Sequence, residues 1–236
     1  MSKLKLFCFP FAGGSASYFS SWQKLFDDSI EVHSIELKGR GRRVNETHYT
    51  DFDDLVEDVF ERIRLKIGAS DYALFGHSMG ALISFRLYHK IVENELPLPN
   101  HLFLSGKAAP QIFREDVKIY HKLDDETFKK EIIELGGTSK VLFENKDLHN
   151  LFLPILKNDF RICEENLFDA SAKPIDKDIT IFVGREDDIL SEQVIGWEEQ
   201  TLRRCNIHVF NGGHFFINNN LDQITQIIKQ SLQSKT

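Results

Sequence analysis

One pentapeptide restricts the fold of this chain more than any other feature. Gly76-His77-Ser78-Met79-Gly80 stands between an apolar run, Tyr72-Ala73-Leu74-Phe75, and a second run, Ala81-Leu82-Ile83-Ser84-Phe85-Arg86-Leu87, that continues with helical period. A strand that turns at once into a helix must make a very sharp bend. Glycines on both sides of the serine leave room for strand and helix to pack closely. The bend projects the Ser78 hydroxyl above the strand end, and the new helix places its free N–H groups and positive dipole end beside it. The pentapeptide alone occurs by chance; in this setting it marks Ser78 as a candidate nucleophile.

The rest of the chain supplies the pattern such a bend requires. Short apolar runs bounded by turn residues fall at 4–10, 30–37, 72–76, 101–105, 179–183 and 207–210. Helix-period segments fall between them, at 17–25, 52–66, 79–93, 191–202 and 221–232. In the second of these Leu55, Val59, Ile63 and Ile67 recur every four residues among acids and arginines, as on a helix lying against a sheet. Alternating strands and helices predict an α/β protein with a mostly parallel central sheet covered on both faces. Residues 1–236 read as a single domain, a length at which one core suffices. Residues 110–173 break the rhythm, with helical pieces expected at 126–135, 146–155 and 159–168 and a stop at Gly136-Gly137. So long a connection exceeds one crossover and is expected to be a helical lid insertion over the sheet's C-terminal edge.

These features together predict the α/β-hydrolase fold, on which the chain order is nucleophile, acid, histidine, each on a loop after a strand. His214 follows the run at 207–210 through Asn211-Gly212-Gly213, and no other histidine downstream of Ser78 is so placed. His77, beside the serine, is expected to support the turn. The acid is sought in Gly184-Arg185-Glu186-Asp187-Asp188, after the run at 179–183. Its spacing favours Asp187, with Asp188 the alternative and Glu186 a solvated neighbour. An oxyanion hole requires two backbone N–H groups. Met79 is expected to provide one and Ala12, in the loop Phe11-Ala12-Gly13-Gly14-Ser15-Ala16, the other. That loop lacks the Gly-Lys-Ser/Thr ending and the glycine spacing of nucleotide-binding loops. Such chemistry needs no metal and no organic cofactor.

The formal net charge of −7 leaves no basic footprint for nucleic acid. No stretch approaches the about 18 apolar residues of a membrane span, and the run after Lys3 and Lys5 is too short, and broken by Pro10, for a targeting segment. Three cysteines, Cys8, Cys163 and Cys205, have no metal-like spacing and read as small apolar packing residues in a reducing compartment. A cytoplasmic monomer is the expectation.

Taken together, the motifs resemble those of the type II thioesterases that accompany nonribosomal peptide and polyketide synthases. They run from Phe9-Pro10-Phe11-Ala12-Gly13-Gly14-Ser15-Ala16 through Glu36-Leu37-Lys38-Gly39-Arg40-Gly41-Arg42-Arg43 and the Ser78 pentapeptide. They continue through Leu153-Pro154-Ile155-Leu156-Lys157-Asn158-Asp159-Phe160 and Gly184-Arg185-Glu186-Asp187 to Gly212-Gly213-His214-Phe215-Phe216. Two positions depart from the family's usual pattern: Lys38 stands where a proline is common, and Lys157 where an arginine is. The resemblance implies a thioester substrate on the phosphopantetheine arm of an acyl or peptidyl carrier protein, and an editing role. Medium-chain fatty acyl thioesterases are close relatives. A carboxylesterase or lipase acting on oxygen esters is the alternative within enzymes, and a non-catalytic binding member of the fold the alternative outside them. Arg40, Arg42 and Arg43 read either as contacts for the carrier arm or as a solvated loop. One or two of Phe113, Phe128, Phe143, Phe152, Phe160 and Phe168 are expected to line an acyl channel.

Overall fold

The computed structural model describes residues 3–68, 71–112, 118–138, 140–166 and 168–233. Six strands, β1 (Leu4–Phe9), β2 (Ile30–Ser34), β3 (Tyr72–His77), β4 (Leu102–Ser105), β5 (Ile179–Gly184) and β6 (Cys205–Phe210), form one sheet in the order β2-β1-β3-β4-β5-β6. Every pairing is parallel. Strands buried on both faces read as unbroken apolar runs, and β3 and β5 are buried at every position. Alternate side chains divide the core. Phe7, Phe9, Tyr72 and Leu74 join the helices of one face, while Leu6, Cys8, Ala73 and Phe75 pack on the other.

The first face is covered by α1 (Phe52–Ile63) and α2 (Met79–Glu93). Asp51 caps α1 by accepting the Asp54 N–H, and Phe52, Leu55, Val56, Val59, Phe60 and Ile63 form its buried stripe. The opposite face is closed by α7 (Leu221–Gln233) and by the segment after β1. The helix expected at 17–25 is instead two 3-10 turns, Ala16–Phe19 and Trp22–Leu25. The ring contacts of Phe19 on Trp22 (5.0 Å) and Trp22 on Phe75 (4.8 Å) set this path, overriding a weak helical preference.

Between β4 and β5 lie α3 (Asp125–Leu135), α4 (Lys140–Glu144) and α5 (Lys146–Glu164). Asp124 caps α3, and Gly136, at φ 89°, ends it as the glycine pair predicts. The two helical pieces expected at 146–155 and 159–168 are one helix, α5, which runs through Pro154. Proline removes one backbone hydrogen bond, but Leu153, Ile155, Leu156 and Ile162 keep a continuous buried face on either side of it. Phe128, Ile132, Leu153 and Leu156 give these helices a small core of their own. After β5, α6 (Ser191–Ile195) passes into a 3-10 turn at Gly196–Gln200, where one longer helix was expected. Among the described residues no helix is long and apolar enough to cross a membrane.

The strand order reverses between β1 and β3. The loops leaving these two strands diverge to opposite sides of the sheet and leave a crevice at their C-terminal ends. Residues 10–16 and Ser78 meet there.

Candidate active site

Ser78 occupies the bend itself. Its φ of 55° and ψ of −114° lie in a region that L-residues rarely enter. The flanking glycines are needed because backbones cross at this point. A Cβ on Gly76 would stand 1.9 Å from the Gly80 carbonyl oxygen, and one on Gly80 would stand 2.1 Å from that of Phe9. Ser78 is the N-terminal flanking residue of α2, yet its side chain does not cap the helix, which leaves the hydroxyl free.

The hydroxyl meets His214. Ser78 Oγ lies 2.9 Å from Nε2 of the imidazole, and Nδ1 lies 3.0 and 3.2 Å from the two Asp187 oxygens. With the Nδ1–H donating to the carboxylate, Nε2 is left to accept from the serine. Asp187 is nearly buried, at 5% side-chain exposure, against 18% for His214. The dry setting strengthens their interaction.

The three adjacent carboxylates have separate positions. Asp187 faces the histidine. Glu186 accepts the Gly212 N–H, and its own N–H donates to the Gly212 carbonyl, so it clamps the loop that carries His214. Asp188 donates its N–H to Asp187 Oδ1 and lines the neighbouring cavity. Sequence spacing had not assigned Glu186 this clamp, because it depends on two loops 26 residues apart meeting in space.

His77 is fully buried with Nδ1 2.9 Å from Ser105 Oγ, so it braces the bend from beneath. Burial, and then the neighbouring His214, push its pKa well below the ordinary imidazole value. It stays neutral.

Met79 begins α2, and Ala12 lies in the loop after β1 beside Ser78. Among the described residues no acceptor takes either N–H. Phe11, Ala12, Ser78, Leu156, Phe160, His214 and Phe215 are among the walls of a cavity of about 310 Å³ that runs under α3 and α5. Of the insertion phenylalanines, Phe160 lines it, whereas Phe128 is buried in the helices' own core, with Phe143 packed against that core. Phe168 packs on the main core, and Phe113 lies outside the described residues.

Two of the three arginines, Arg40 and Arg43, differ from both readings offered by the sequence, whereas Arg42 is exposed as in a solvated loop. Arg40 is 4% exposed and makes a two-pronged ion pair with the fully buried Asp159, at 2.6 and 2.8 Å. Burial works against its charge, but Asp159 outweighs that and holds the guanidinium above its ordinary pKa. Arg43 is 7% exposed and pairs with Asp58 and Glu46. Neither is a solvated contact. Lys157 is held by the Leu123 carbonyl and Asp125, and Lys38 by Asp54. The sequence did carry a signal for Asp159: it sits in register with Leu156 and Ile162 on the apolar stripe of α5. Dividing that helix in two concealed it.

No group of three or more metal-ligating side chains occurs among the described residues. The arrangement comprises a hydroxyl, an imidazole within hydrogen-bond reach of it, a carboxylate on the far side of that ring and two N–H groups with no acceptor among the described residues, at the mouth of a largely apolar cavity.

Comparison with known proteins agrees with that chemistry. Residues 4–232 match the thioesterase domain family. The chain is 40% identical over 219 residues to the gramicidin S biosynthesis protein GrsT of Aneurinibacillus migulanus, covering 92% of this chain and 84% of that one. It is 33% identical to the medium-chain S-acyl fatty acid synthase thioesterase of Rattus norvegicus, over 90% of this chain and 81% of the other. Among solved structures, ClbQ from the colibactin NRPS/PKS pathway superposes with a TM-score of 0.92 at 34% identity, covering 99% of this chain and 98% of its own.

Proposed function

This chain belongs to the thioesterase domain family, and from that premise we propose that it is a type II, editing thioesterase of nonribosomal peptide or polyketide synthesis, with Ser78, His214 and Asp187 as its catalytic residues. The substrate is an acyl group held as a thioester on the phosphopantetheine arm of a carrier protein. The observation that carries this reading is the unbroken line of hydrogen bonds from Ser78 through His214 to Asp187 at the mouth of the apolar cavity. GrsT and ClbQ, each assigned by name to such a pathway, support the choice of pathway.

The reaction proceeds in two halves. His214 Nε2 takes the Ser78 proton as Oγ attacks the thioester carbonyl. Asp187 holds the imidazole with Nε2 toward the serine and stabilises the imidazolium that forms. Negative charge develops on the carbonyl oxygen, where the Met79 and Ala12 N–H groups receive it. The C–S bond breaks, and His214 returns the proton to the departing thiolate, leaving an acyl-serine ester and free phosphopantetheine thiol. In the second half His214 takes a proton from water, the hydroxide adds to the ester, and the acid leaves as Ser78 is reprotonated. Residues 110–173 act as a lid, with α3 and α5 roofing the acyl chain.

The test is incubation with a short acyl group loaded on a carrier protein, followed by intact-mass measurement. The native chain is expected to show an acyl adduct and release of the free acid. Ser78→Ala is expected to show no adduct and a kcat lower by about 10⁶-fold. A Ser78→Ala variant that keeps its hydrolysis rate would overturn the assignment. Faster hydrolysis of a matched oxygen ester than of the thioester would place the protein among carboxylesterases instead.

A further inference from the structure

We propose that Asp159 and Arg40 are positioning residues for the oxyanion hole, a buried ion pair by which the lid helix α5 sets the peptide that presents the Ala12 N–H. The proposal rests on the serine-hydrolase reading above and concerns a device outside the three catalytic side chains.

Among the residues from Phe11 to Gly14, all but Ala12 have a backbone group held by a hydrogen bond. The Phe11 carbonyl accepts the Gly14 N–H at 2.9 Å. The Gly13 N–H donates to Asp159 Oδ2 at 2.7 Å, and Arg40 Nη1 donates to the Gly14 carbonyl at 3.2 Å. In a trans peptide the C=O and the following N–H point in opposite directions. Tying the Phe11 carbonyl inside the turn therefore turns the Ala12 N–H out of it, and holding the Gly13 N–H stops the next peptide from rotating. Ala12 itself lines the cavity that contains Ser78. Leu156, one turn before Asp159, lies so close over Gly13 that an added Cβ there would stand 2.4 Å from it. The loop is thus held from above by α5, with Arg40 on its Gly14 carbonyl.

The charges matter as much as the geometry. A lone buried carboxylate one hydrogen bond from this loop would oppose the negative charge that develops beside Ala12. Arg40 cancels that charge while sharing the same Asp159 oxygen that takes the Gly13 N–H. The pair is net neutral and directional. A polar acceptor is thereby supplied to the backbone without an opposing field.

The ends of this arrangement lie 119 residues apart in sequence and come from a loop after β2 and from the lid. Their fixing is reinforced nearby. Arg161 donates to the Thr50 carbonyl at 2.8 Å, and the Glu164 carboxylate accepts the Tyr120 N–H at 2.8 Å and the His121 N–H at 3.1 Å. The C-terminal half of α5 is therefore tied to the segment before α1 and to the turn before α3.

Two variants of the full chain test this: Asp159→Asn, which keeps an oxygen for the Gly13 N–H, and the double variant Arg40→Met with Asp159→Leu, which removes both charges. Replacing a buried ion pair by apolar side chains commonly preserves folding, and the thermal unfolding midpoint checks it in each case. Three readouts follow: kcat on acetyl-pantetheine, the affinity of an acyl trifluoromethyl ketone that forms a tetrahedral oxyanion on Ser78, and the affinity of the matching unreactive thioether. In the double variant kcat and ketone affinity are expected to fall together by about 10- to 100-fold, with thioether affinity within about twofold of the native value. Asp159→Asn is expected to recover at least part of the loss. A folded double variant with kcat and ketone affinity unchanged overturns the proposal, as does an equal loss of thioether affinity. Should the native chain fail to hydrolyse acetyl-pantetheine, the thioesterase reading falls. The ketone measurement still decides the role of Asp159, because it needs only the serine and its oxyanion hole.

Discussion

At position 78 the backbone adopts a φ of 55°, the kind of conformation that costs on the order of 1–3 kcal/mol and persists only where the surroundings enforce it. Here β3, α2 and the buried His77 enforce it, and the return is a hydroxyl lifted clear of the sheet and free of any capping role. The neighbouring acids show how finely such placement discriminates. Asp187 and Asp188 are adjacent and chemically identical, but only Asp187 reaches the imidazole. Asp187→Asn is therefore expected to lower kcat by about 10⁴-fold, since the amide holds the wrong tautomer. Asp188→Asn is expected to change it by less than about tenfold; steady-state rates for the two variants decide. His77 yields a prediction about stability. Its folded pKa lies well below the unfolded value, so the unfolded chain binds a proton that the native state refuses. The contribution of neutral His77 is whole above about pH 6.5 and is lost as pH falls below that toward the folded pKa. Stability is therefore expected to fall between pH 7 and 5. Denaturant unfolding at the two pH values is expected to show a correspondingly smaller drop in His77→Gln than in the native chain.

At the scale of elements, α5 is the decisive one. Its apolar stripe passes Pro154 without a break and places Leu156 over the loop after β1, with Asp159 one turn further on. The loop after α3 performs a second contact. Gly137 lies against Phe215, so closely that an added Cβ would stand 2.0 Å from its ring. Phe215 in turn stands edge-on to Phe11 at 4.8 Å and to His214 at 5.3 Å. Gly137→Val must therefore displace either the loop or the ring that flanks the proposed base. Because Gly137 lies outside the main core, the unfolding midpoint is expected to move by only a few degrees, as for a change of about 1 kcal/mol. The value of kcat/KM on a carrier-bound acyl thioester is expected to fall by about tenfold or more. An unchanged kcat/KM would mean that the ring does not restrain His214.

Over the whole molecule, the parallel sheet with its reversal between β1 and β3 brings the separate loops to one crevice. Much of this was legible in sequence. Apolar runs at strand length, α1's four-residue spacing and the glycine-flanked serine are local signals, each set by the steric and solvation needs of a few consecutive residues. Ser78 and His214 were legible for the same reason, since each is announced by its own glycine-rich turn. The serine-rich segment at 17–25 misled because its two 3-10 turns are shaped by rings on β3 and not by its own period. Spacing favoured Asp187 but left Asp188 as an alternative, because adjacent side chains differ only in direction, and the loop around Gly212 sets that direction. Arg40 and Asp159 lay further still from local reading. An arginine in a glycine-rich loop looks solvated until α5, from between β4 and β5, is seen packed over it. What the sequence alone determined was the order of the strands and of the main helices, and the choice of Ser78 and His214 as candidate nucleophile and base. That Asp187 and not Asp188 meets the His214 imidazole, and which charges are buried behind the loop after β1, was decided only by the tertiary structure, because burial and direction are properties of surfaces brought together and not of the residues that compose them.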